Sequence, residues 1–221
     1  MSDPGSAEII QRFAAIPYIC AISDKMDEMG LTNQVLPSEI QAIFPCRTLA
    51  GRALTIVGEH TTSSDPKVIF VPFLKMLGEI KPGDVLVSQP NDEIAAHLGE
   101  LSSEAAQYRG ARGAVIDGGV RDTERIQEIG FPVFARYKTP QDIVGRWRLV
   151  EFNVPITIGR VQIHPGDYVV GDRDGVLIVP ESVAGEVVAK AEVVVGTENV
   201  VRKDILRGVH PVDAFERHGR F

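Results

Sequence analysis

The chain has 221 residues, of which 44% are hydrophobic and 24% are charged, and its formal net charge is −7. This composition is typical of a globular protein and excludes disordered, collagen-like and coiled-coil chains. Because an acidic surface repels phosphate backbones, we also expect no nucleic-acid partner. At about 150 residues per domain, the length allows one large domain or two small ones.

No apolar stretch predicts a membrane span. The longest uncharged apolar run, 14–22, is interrupted by Pro17, and a spanning helix needs about 20 residues. Since no basic segment precedes an apolar one at the start of the chain, we expect no secretion signal, no membrane partner and a cytoplasmic location. Cys20 and Cys46 have apolar neighbours, which predicts two buried free thiols.

The first half of the chain alternates between predicted helices and buried strands. Two short helices are expected at 7–15 and 23–29, the second opened by the capping pair Ser23-Asp24. The pattern then predicts a strand at 53–57, a polar loop at 58–66, a helix at 67–77, a strand at 85–87, a helix at 99–108, a strand at 114–116, a helix at 122–130 and a strand at 132–135.

The second half is richer in strands and ends in a helical tail. Short strands are predicted at 156–158, 161–163, 168–170 and 176–179. A long helix from Glu181 to about Leu206 and a last short helix follow. Because no linker-like stretch separates the halves, we expect one α/β domain over 1–221, with its helical tail at about 181–221.

The most informative segment contains two predicted helix starts, near Gly99 and near Asp122. The first-turn amides of a helix carry partial positive charge and favour an anion. Gly118-Gly119 is expected to turn the chain out of a buried strand, so that Arg121 and Asp122 lie at the carboxyl end of that strand. Because open α/β sheets bind ligands at this edge, we predict a binding site there.

Arg121 and Asp122 have both a functional and a structural interpretation. An arginine can clamp a substrate carboxylate with two hydrogen bonds, and an aspartate can ligate a hard cation. Equally, Asp122 could cap its helix while Arg121 pairs with Glu124 at the surface. The histidines share no spacing typical of a metal site, and His97 is the one that immediately precedes the predicted site.

Residues 99–122 indicate a family that the chain resembles. A carboxylate at Glu100, twenty intervening residues and then Arg121-Asp122 resemble the signature of the RraA-like proteins. These include class II pyruvate aldolases that act on 4-hydroxy-4-methyl-2-oxoglutarate and 4-carboxy-4-hydroxy-2-oxoadipate. The resemblance extends over the segments 51–55, 82–86, 99–101, 109–110, 113–122, 130–135, 165–167 and 174–176. It implies a three-layer β/β/α sandwich of the RraA type.

The resemblance also implies roles for the residues of the predicted site. Asp122 would ligate a divalent cation, Mg²⁺ or Mn²⁺, and Glu100 would hold a water of the metal's shell. The metal and Arg121 would stabilise the pyruvate enolate that forms when a carbon–carbon bond breaks. The pyruvoyl carboxylate and carbonyl would be bound by Arg121 and by the loop residues Gly99, Glu100, Leu101 and Ser102.

The family resemblance further implies a homo-oligomer, either a trimer or a dimer of trimers, with the site at a subunit junction. A neighbouring subunit would add a catalytic carboxylate from its C-terminal region, for which Glu198 is the candidate here. Equally, Glu198 could pair with Arg202, which lies one helical turn further along.

The implied function is metal-dependent cleavage of a 4-hydroxy-2-oxo acid, of the 4-hydroxy-4-methyl-2-oxoglutarate type, to give pyruvate. Oxaloacetate decarboxylation would be a side activity that uses the same enolate. Two alternatives stay open: a 2-oxo-3-deoxy sugar-acid aldolase, and a regulator that binds and inhibits an RNA-degrading endonuclease. The presence of Glu100, Arg121 and Asp122 together favours the enzyme.

Overall fold

A computed structural model describes residues 4–45 and 48–219 of the chain. The helices are α1 (Pro4–Ala15), α2 (Cys20–Glu28), α3 (Pro66–Glu79), α4 (Glu100–Tyr108), α5 (Thr123–Glu128), α6 (Ala184–Leu206) and α7 (Pro211–His218), with a 3₁₀ turn at Glu181–Val183. The strands are β1 (Gln41–Ala42), β2 (Leu49–His60), β3 (Asp84–Gln89), β4 (Ala96–Leu98), β5 (Gly113–Val120), β6 (Val133–Lys138), β7 (Trp147–Phe152), β8 (Ile156–Ile158), β9 (Val161–Ile163), β10 (Tyr168–Asp172) and β11 (Gly175–Val179).

Nine of these strands form one mixed sheet. Its centre is parallel, in the order β2, β3, β5 and β6, while β1, β7, β10 and β11 join it in antiparallel pairs. The pairing of β3 with β5 ends at Ser88 and Ile116. Beyond that point β4 pairs with β5 at Gly119 and Val120. Strands β4 and β5 therefore end side by side, and each leads into a helix.

The central strands bury side chains on both faces, as expected of parallel strands. In β5, Ala114 and Ile116 pack with α3, α4 and α5, whereas Val115 packs with the hairpin of β8 and β9 on the other face. This alternation follows from the two-residue period of a strand. The hairpin, the central sheet and the helices are the three layers of the expected fold, which is confirmed. A further core packs α1, α2 and α6 against β10 and β11.

The predicted turn at Gly118-Gly119 is wrong, because both residues continue β5 to Val120. A Cβ on Gly118 would lie 2.7 Å from His97 Nδ1, and a Cβ on Gly119 would lie 2.3 Å from the ring of Tyr137. The two glycines therefore allow close packing inside the sheet. The chain turns instead at Asp122, whose φ of 56° is left-handed.

The start of α2 also differs from the prediction. The helix begins at Cys20, so the expected capping pair at 23–24 lies within it. The Ile19 N–H donates to the carboxylate of Asp172 at 2.9 Å, and this acceptor, 153 residues away, gives no local signal. Cys20 is a free thiol but is exposed, because it opens this helix at the surface, so its predicted burial is wrong. Cys46 lies outside the described residues.

The expected loop at 58–66 begins later than predicted, because β2 continues to His60 and pairs with β7. Strand β7 and the short strands β1 and β4 have no counterpart among the predicted elements. Trp147 of β7 lies directly over Gly58, where a Cβ would be 2.2 Å from the indole. The indole Nε1 donates to the carbonyl of Pro90 at 2.9 Å.

Within the described part of the chain, no helix is long and apolar enough to cross a membrane.

The contact between Gly58 and Trp147 makes a prediction about stability. Gly58→Ala should lower the free energy of unfolding by about 1–3 kcal/mol, because the new methyl group would overpack a fully buried ring. Gly78→Ala is the matched control, since nothing lies within 4 Å of its Cβ position near the end of α3. The control should raise stability by about 0.5 kcal/mol. Urea unfolding measures both, and equal effects of the two substitutions would contradict the packing argument.

Candidate active site

A cavity of about 390 Å³ lies at the carboxyl ends of β4 and β5. Its polar lining comes from the two turns that lead into α4 and α5, from His97 and from Asp142, and its apolar lining comes from α3, β4, α4 and Ile143. The residues predicted to bind the substrate and the metal all line this cavity, namely Gly99, Glu100, Leu101, Ser102, Arg121 and Asp122. The structure therefore brings them together at the predicted edge of the sheet.

The two turns approach each other closely at Gly99 and Asp122. The Asp122 Oδ2 accepts the Glu100 backbone N–H at 3.2 Å. A Cβ on Gly99 would lie 2.7 Å from that same oxygen and 3.2 Å from Arg121 Cγ, so a larger residue there would displace the side chains of Arg121 and Asp122. The Asp122 side chain does not cap its own helix, which excludes the capping alternative and leaves its carboxylate in the cavity.

Arg121 pairs with Asp142, a residue that the sequence analysis did not identify. The Arg121 Nη1 lies 2.7 Å from Asp142 Oδ2, and Arg121 Nε lies 3.6 Å from Asp122 Oδ2. Burial acts to raise the pKa of Asp142, but the Val144 N–H and the Arg121 guanidinium outweigh it and lower that pKa. Asp142 lies in the loop between β6 and β7, where no motif marks it, and it takes the place expected for Glu124.

The amides at the start of α4 are partly occupied. The Gly99 N–H donates to the Ser102 hydroxyl at 3.1 Å, and the Glu100 N–H donates to Asp122. The first-turn amides of Leu101 and Ser102 lack a backbone acceptor within the helix, as at any helix start. They are the two members of the predicted loop that remain available to an anion.

The two glutamates of the prediction have different surroundings. Glu100 lines the cavity, and its carboxylate accepts from Arg125 Nε at 3.2 Å. Glu198 lies on α6, where its carboxylate accepts the Tyr18 hydroxyl, and it is not among the described residues that line the cavity. The catalytic role of Glu198 stays a prediction that requires a second copy of the chain.

His97 lies in the wall of the cavity, as its position before Gly99 suggested. Its Nε2 is 3.1 Å from Asp92 Oδ2, and its ring packs edge-on against Trp147 with centroids 5.1 Å apart. Burial lowers the pKa of His97 to about 4, although Asp92 acts in the opposite direction. At neutral pH the ring is therefore uncharged, with its proton on the nitrogen that faces the carboxylate.

The polar donors of the cavity fit a hydrated hard cation. Asp122 offers a carboxylate that is 43% exposed, and one or two carboxylates with several waters are the usual environment of Mg²⁺. Asp122 and Asp142 share the guanidinium of Arg121, whereas Glu100, in the same lining, pairs with Arg125. No group of three ligating side chains forms a cage within the described residues, so a tightly held structural metal does not fit.

The family model described as RraA-like (Aldolase/RraA) matches residues 19–178. A relative from Halalkalibacterium halodurans, named provisionally as a 4-hydroxy-4-methyl-2-oxoglutarate aldolase, is 35% identical over 84% of this chain and 82% of its own. The 4-hydroxy-4-methyl-2-oxoglutarate aldolase of Thermus thermophilus is 32% identical over 50% of this chain and 68% of its own.

A solved structure extends the similarity to the fold. The structure of Streptomyces coelicolor RraAS2, described as an unusual member of the RNase ES inhibitor RraA protein family, has a TM-score of 0.79. It is 27% identical and covers 91% of this chain and 97% of its own. Aldolase and inhibitor names therefore both occur among proteins similar to this chain.

The low pKa of His97 predicts how stability depends on pH. The unfolded chain takes up a proton on this histidine near pH 6.5, whereas the folded chain does so only at about 4. Stability is therefore complete above pH 6.5 and falls as the pH drops through this window, by about 2–3 kcal/mol at pH 4.5.

His97→Gln should remove this part of the pH dependence. Urea unfolding at pH 7 and pH 4.5 should show a larger loss for the original protein than for the variant. His60→Gln is the matched control, because His60 is exposed at the end of β2, and it should behave as the original protein does. An equal loss in all three proteins would contradict the prediction.

Proposed function

Because the chain belongs to the RraA-like family, we propose that its cavity cleaves a 4-hydroxy-2-oxo acid by a retro-aldol reaction and releases pyruvate. The observation that carries this proposal is the pair formed by Arg121 and Asp122, which lies beside a helix start in a cavity of small-molecule size. The named aldolases among the relatives support the same reaction.

The residues of the cavity would divide the work between binding and charge stabilisation. Arg121 binds the substrate carboxylate through its planar fork, and the amides of Leu101 and Ser102 add donors at the positive end of α4. As the C3–C4 bond breaks, negative charge develops on the 2-oxo oxygen, and a fixed guanidinium nearby stabilises it. Asp142 holds Arg121 in place through the 2.7 Å ion pair.

We further propose that Asp122 holds a divalent cation, Mg²⁺ or Mn²⁺, with Glu100 nearby in the same cavity. When bound, the cation supplies a Lewis acid for the 2-oxo group. The carboxylate of Asp122, which is 43% exposed and shares Arg121 with Asp142, favours a positive ion there. Oxaloacetate decarboxylation would be a side activity, because loss of carbon dioxide from that acid gives the same pyruvate enolate.

The proposed enzyme is a homo-oligomer, a trimer or a dimer of trimers. Exposed apolar side chains on α6, at Val193, Val200 and Leu206, support an interface along the C-terminal tail. In such an assembly the Glu198 of one copy would complete the site of another.

An endonuclease regulator is the second candidate, because RraAS2, which has the same fold, belongs to an inhibitor family. A fold by itself does not carry a function. The arrangement of Arg121, Asp122 and Gly99 around a cavity favours catalysis, since inhibition through a protein surface needs no such cavity. Release of pyruvate from a 4-hydroxy-2-oxo acid separates the two candidates.

Arg121→Lys tests the charge-stabilising role. The variant keeps the positive charge but loses the planar fork, so both kcat and kcat/KM should fall, with kcat lower by about 10²–10³. Its melting temperature should stay near that of the original protein, because the side chain is 37% exposed. Arg148→Lys, which disturbs a surface pair with Glu59, is the control for activity. A raised KM with unchanged kcat would limit Arg121 to ground-state binding.

Removal of the metal tests the role of Asp122. Chelation with EDTA should abolish pyruvate release, and added Mg²⁺ or Mn²⁺ should restore it, because one carboxylate and waters hold such an ion loosely. Asp122→Asn should raise the Mg²⁺ concentration needed for half-maximal activity. Steady-state assays over a Mg²⁺ titration measure both effects. Full turnover by the extensively chelated protein would rule out metal dependence.

A further inference from the structure

Arg146 is a partly buried residue at the end of the loop that joins β6 to β7, and the proposed chemistry does not use it. It is not among the described residues that line the cavity. Its Nη1 donates to the carbonyls of Asp142 and Val144, at 3.1 Å and 3.3 Å. Both acceptors belong to the same loop, residues 139–146, which we call the Asp142 loop. The guanidinium of Arg146 therefore closes this loop on itself.

Within the Asp142 loop, both carboxylate oxygens of Asp142 have a hydrogen-bond donor. The Oδ1 accepts the Val144 N–H at 2.9 Å, and the Oδ2 accepts from Arg121 Nη1 at 2.7 Å. The backbone carbonyl of Asp142 accepts from Arg146. Side chain and backbone are therefore both fixed, and the carboxylate faces Arg121 in one orientation.

The Asp142 loop is anchored to both strands that lead into the site. The Thr139 N–H donates to the carbonyl of Val120 at 3.0 Å, immediately before Arg121. The Ala96 N–H of β4 donates to the carbonyl of Gln141 at 2.9 Å. These are backbone hydrogen bonds within one chain, so they need no second copy of it. The loop and Arg121 are therefore held in the same frame.

We propose that Arg146 is a positioning residue for the cleavage reaction: it holds the Asp142 loop in shape, and Asp142 in turn orients the guanidinium of Arg121. This inference rests on the proposed function and adds a residue that acts from outside the cavity. A donor stabilises developing charge best when it is fixed before the reaction, and a displacement of about 1 Å can cost about 100-fold in rate. Without Arg146, two carbonyls of the loop lose their donor and Asp142 loses its fixed place.

Arg146→Met tests this role, because methionine keeps an unbranched apolar side chain and removes the donors. In pyruvate-release assays with Mg²⁺, the kcat of the variant should fall by about 10–100-fold. The KM should change less than kcat, because Arg121 keeps its charge and still binds the substrate carboxylate. Arg146→Lys should keep more activity than Arg146→Met, since an ammonium group still offers donors to the loop carbonyls. An unchanged kcat in Arg146→Met would overturn the inference.

A double-mutant cycle shows whether the effect of Arg146 passes through Arg121. Once Arg121→Ala has removed the group to be oriented, adding Arg146→Met should lower kcat further by no more than roughly twofold. Losses that multiply would overturn the inference. If Arg146→Met does not fold, Arg146→Lys takes its place in the cycle. Arg148→Met is the matched control, because Arg148 lies in β7 and pairs with Glu59 at the surface. The control should keep the original kcat, and an equal fall in both variants would also contradict the positioning role.

Calorimetry with oxalate and Mg²⁺ separates failure of this inference from failure of the proposed function. Oxalate is a planar dianion that resembles the pyruvate enolate and is not cleaved. Its affinity should fall in Arg121→Ala and in Arg146→Met, and should fall no further in the double variant than in Arg121→Ala. If the original protein cleaves no 4-hydroxy-2-oxo acid, this pattern would contradict the proposed function and support the positioning role. Oxalate affinity that is unchanged in Arg146→Met would overturn the inference, whether or not pyruvate is released.

Discussion

The site depends on the close approach of the turn after β4 to the turn after β5. Gly99 stands where any Cβ would press on the carboxylate of Asp122, and the next amide in the chain donates to that carboxylate. This contact joins two helix starts that are 22 residues apart. Because a larger residue at Gly99 would displace the side chains of Arg121 and Asp122, the placement of these charged groups depends on the absence of a side chain there.

Sheet pairing and buried side chains beneath the two turns keep the turns close together. Arg121 N–H donates to the carbonyl of Leu98 at 3.0 Å, so the backbone of one turn is hydrogen-bonded to the end of the neighbouring strand. Below them the imidazole of His97 fills the space left by Gly118, and Asp92 holds one of its nitrogens. A rigid layer of this kind keeps charged groups in place before a ligand arrives, which is the condition for electrostatic stabilisation.

The cavity combines two chemically different sides. The polar side, at the strand ends, holds the guanidinium of Arg121 between the carboxylates of Asp122 and Asp142, and the lowered pKa of Asp142 keeps the partner of Arg121 ionised at neutral pH. The apolar side combines a face of α3 with residues of β4 and α4. Pockets that bind small molecules commonly combine a largely apolar lining with a few polar groups that fix orientation.

The sequence by itself determined the elements with strong local patterns. The buried strands at 114–116 and 176–179 and the helices at 67–77 and 99–108 were predictable from apolar periodicity and Gly or Pro boundaries. The spacing of Glu100 from Arg121 and Asp122 indicated the family, and the position of Arg121 and Asp122 after a buried strand indicated the edge of the sheet that carries the site. The helices and strands were predictable because the residues that define them are neighbours in the sequence.

The tertiary structure decided everything that depends on partners distant in the chain. Asp142 meets Arg121 from a loop with no motif, and Asp172 of β10 accepts the Ile19 N–H just before α2. Gly118 and Gly119 of β5 leave room for the rings of His97 and Tyr137. The three-residue strand β4 is defined by its pairing with β5, whereas the equally short β8 and β9 were predicted from the sequence. Such contacts leave no local pattern, because a side chain's partner is set by how the layers pack and not by its neighbours in sequence.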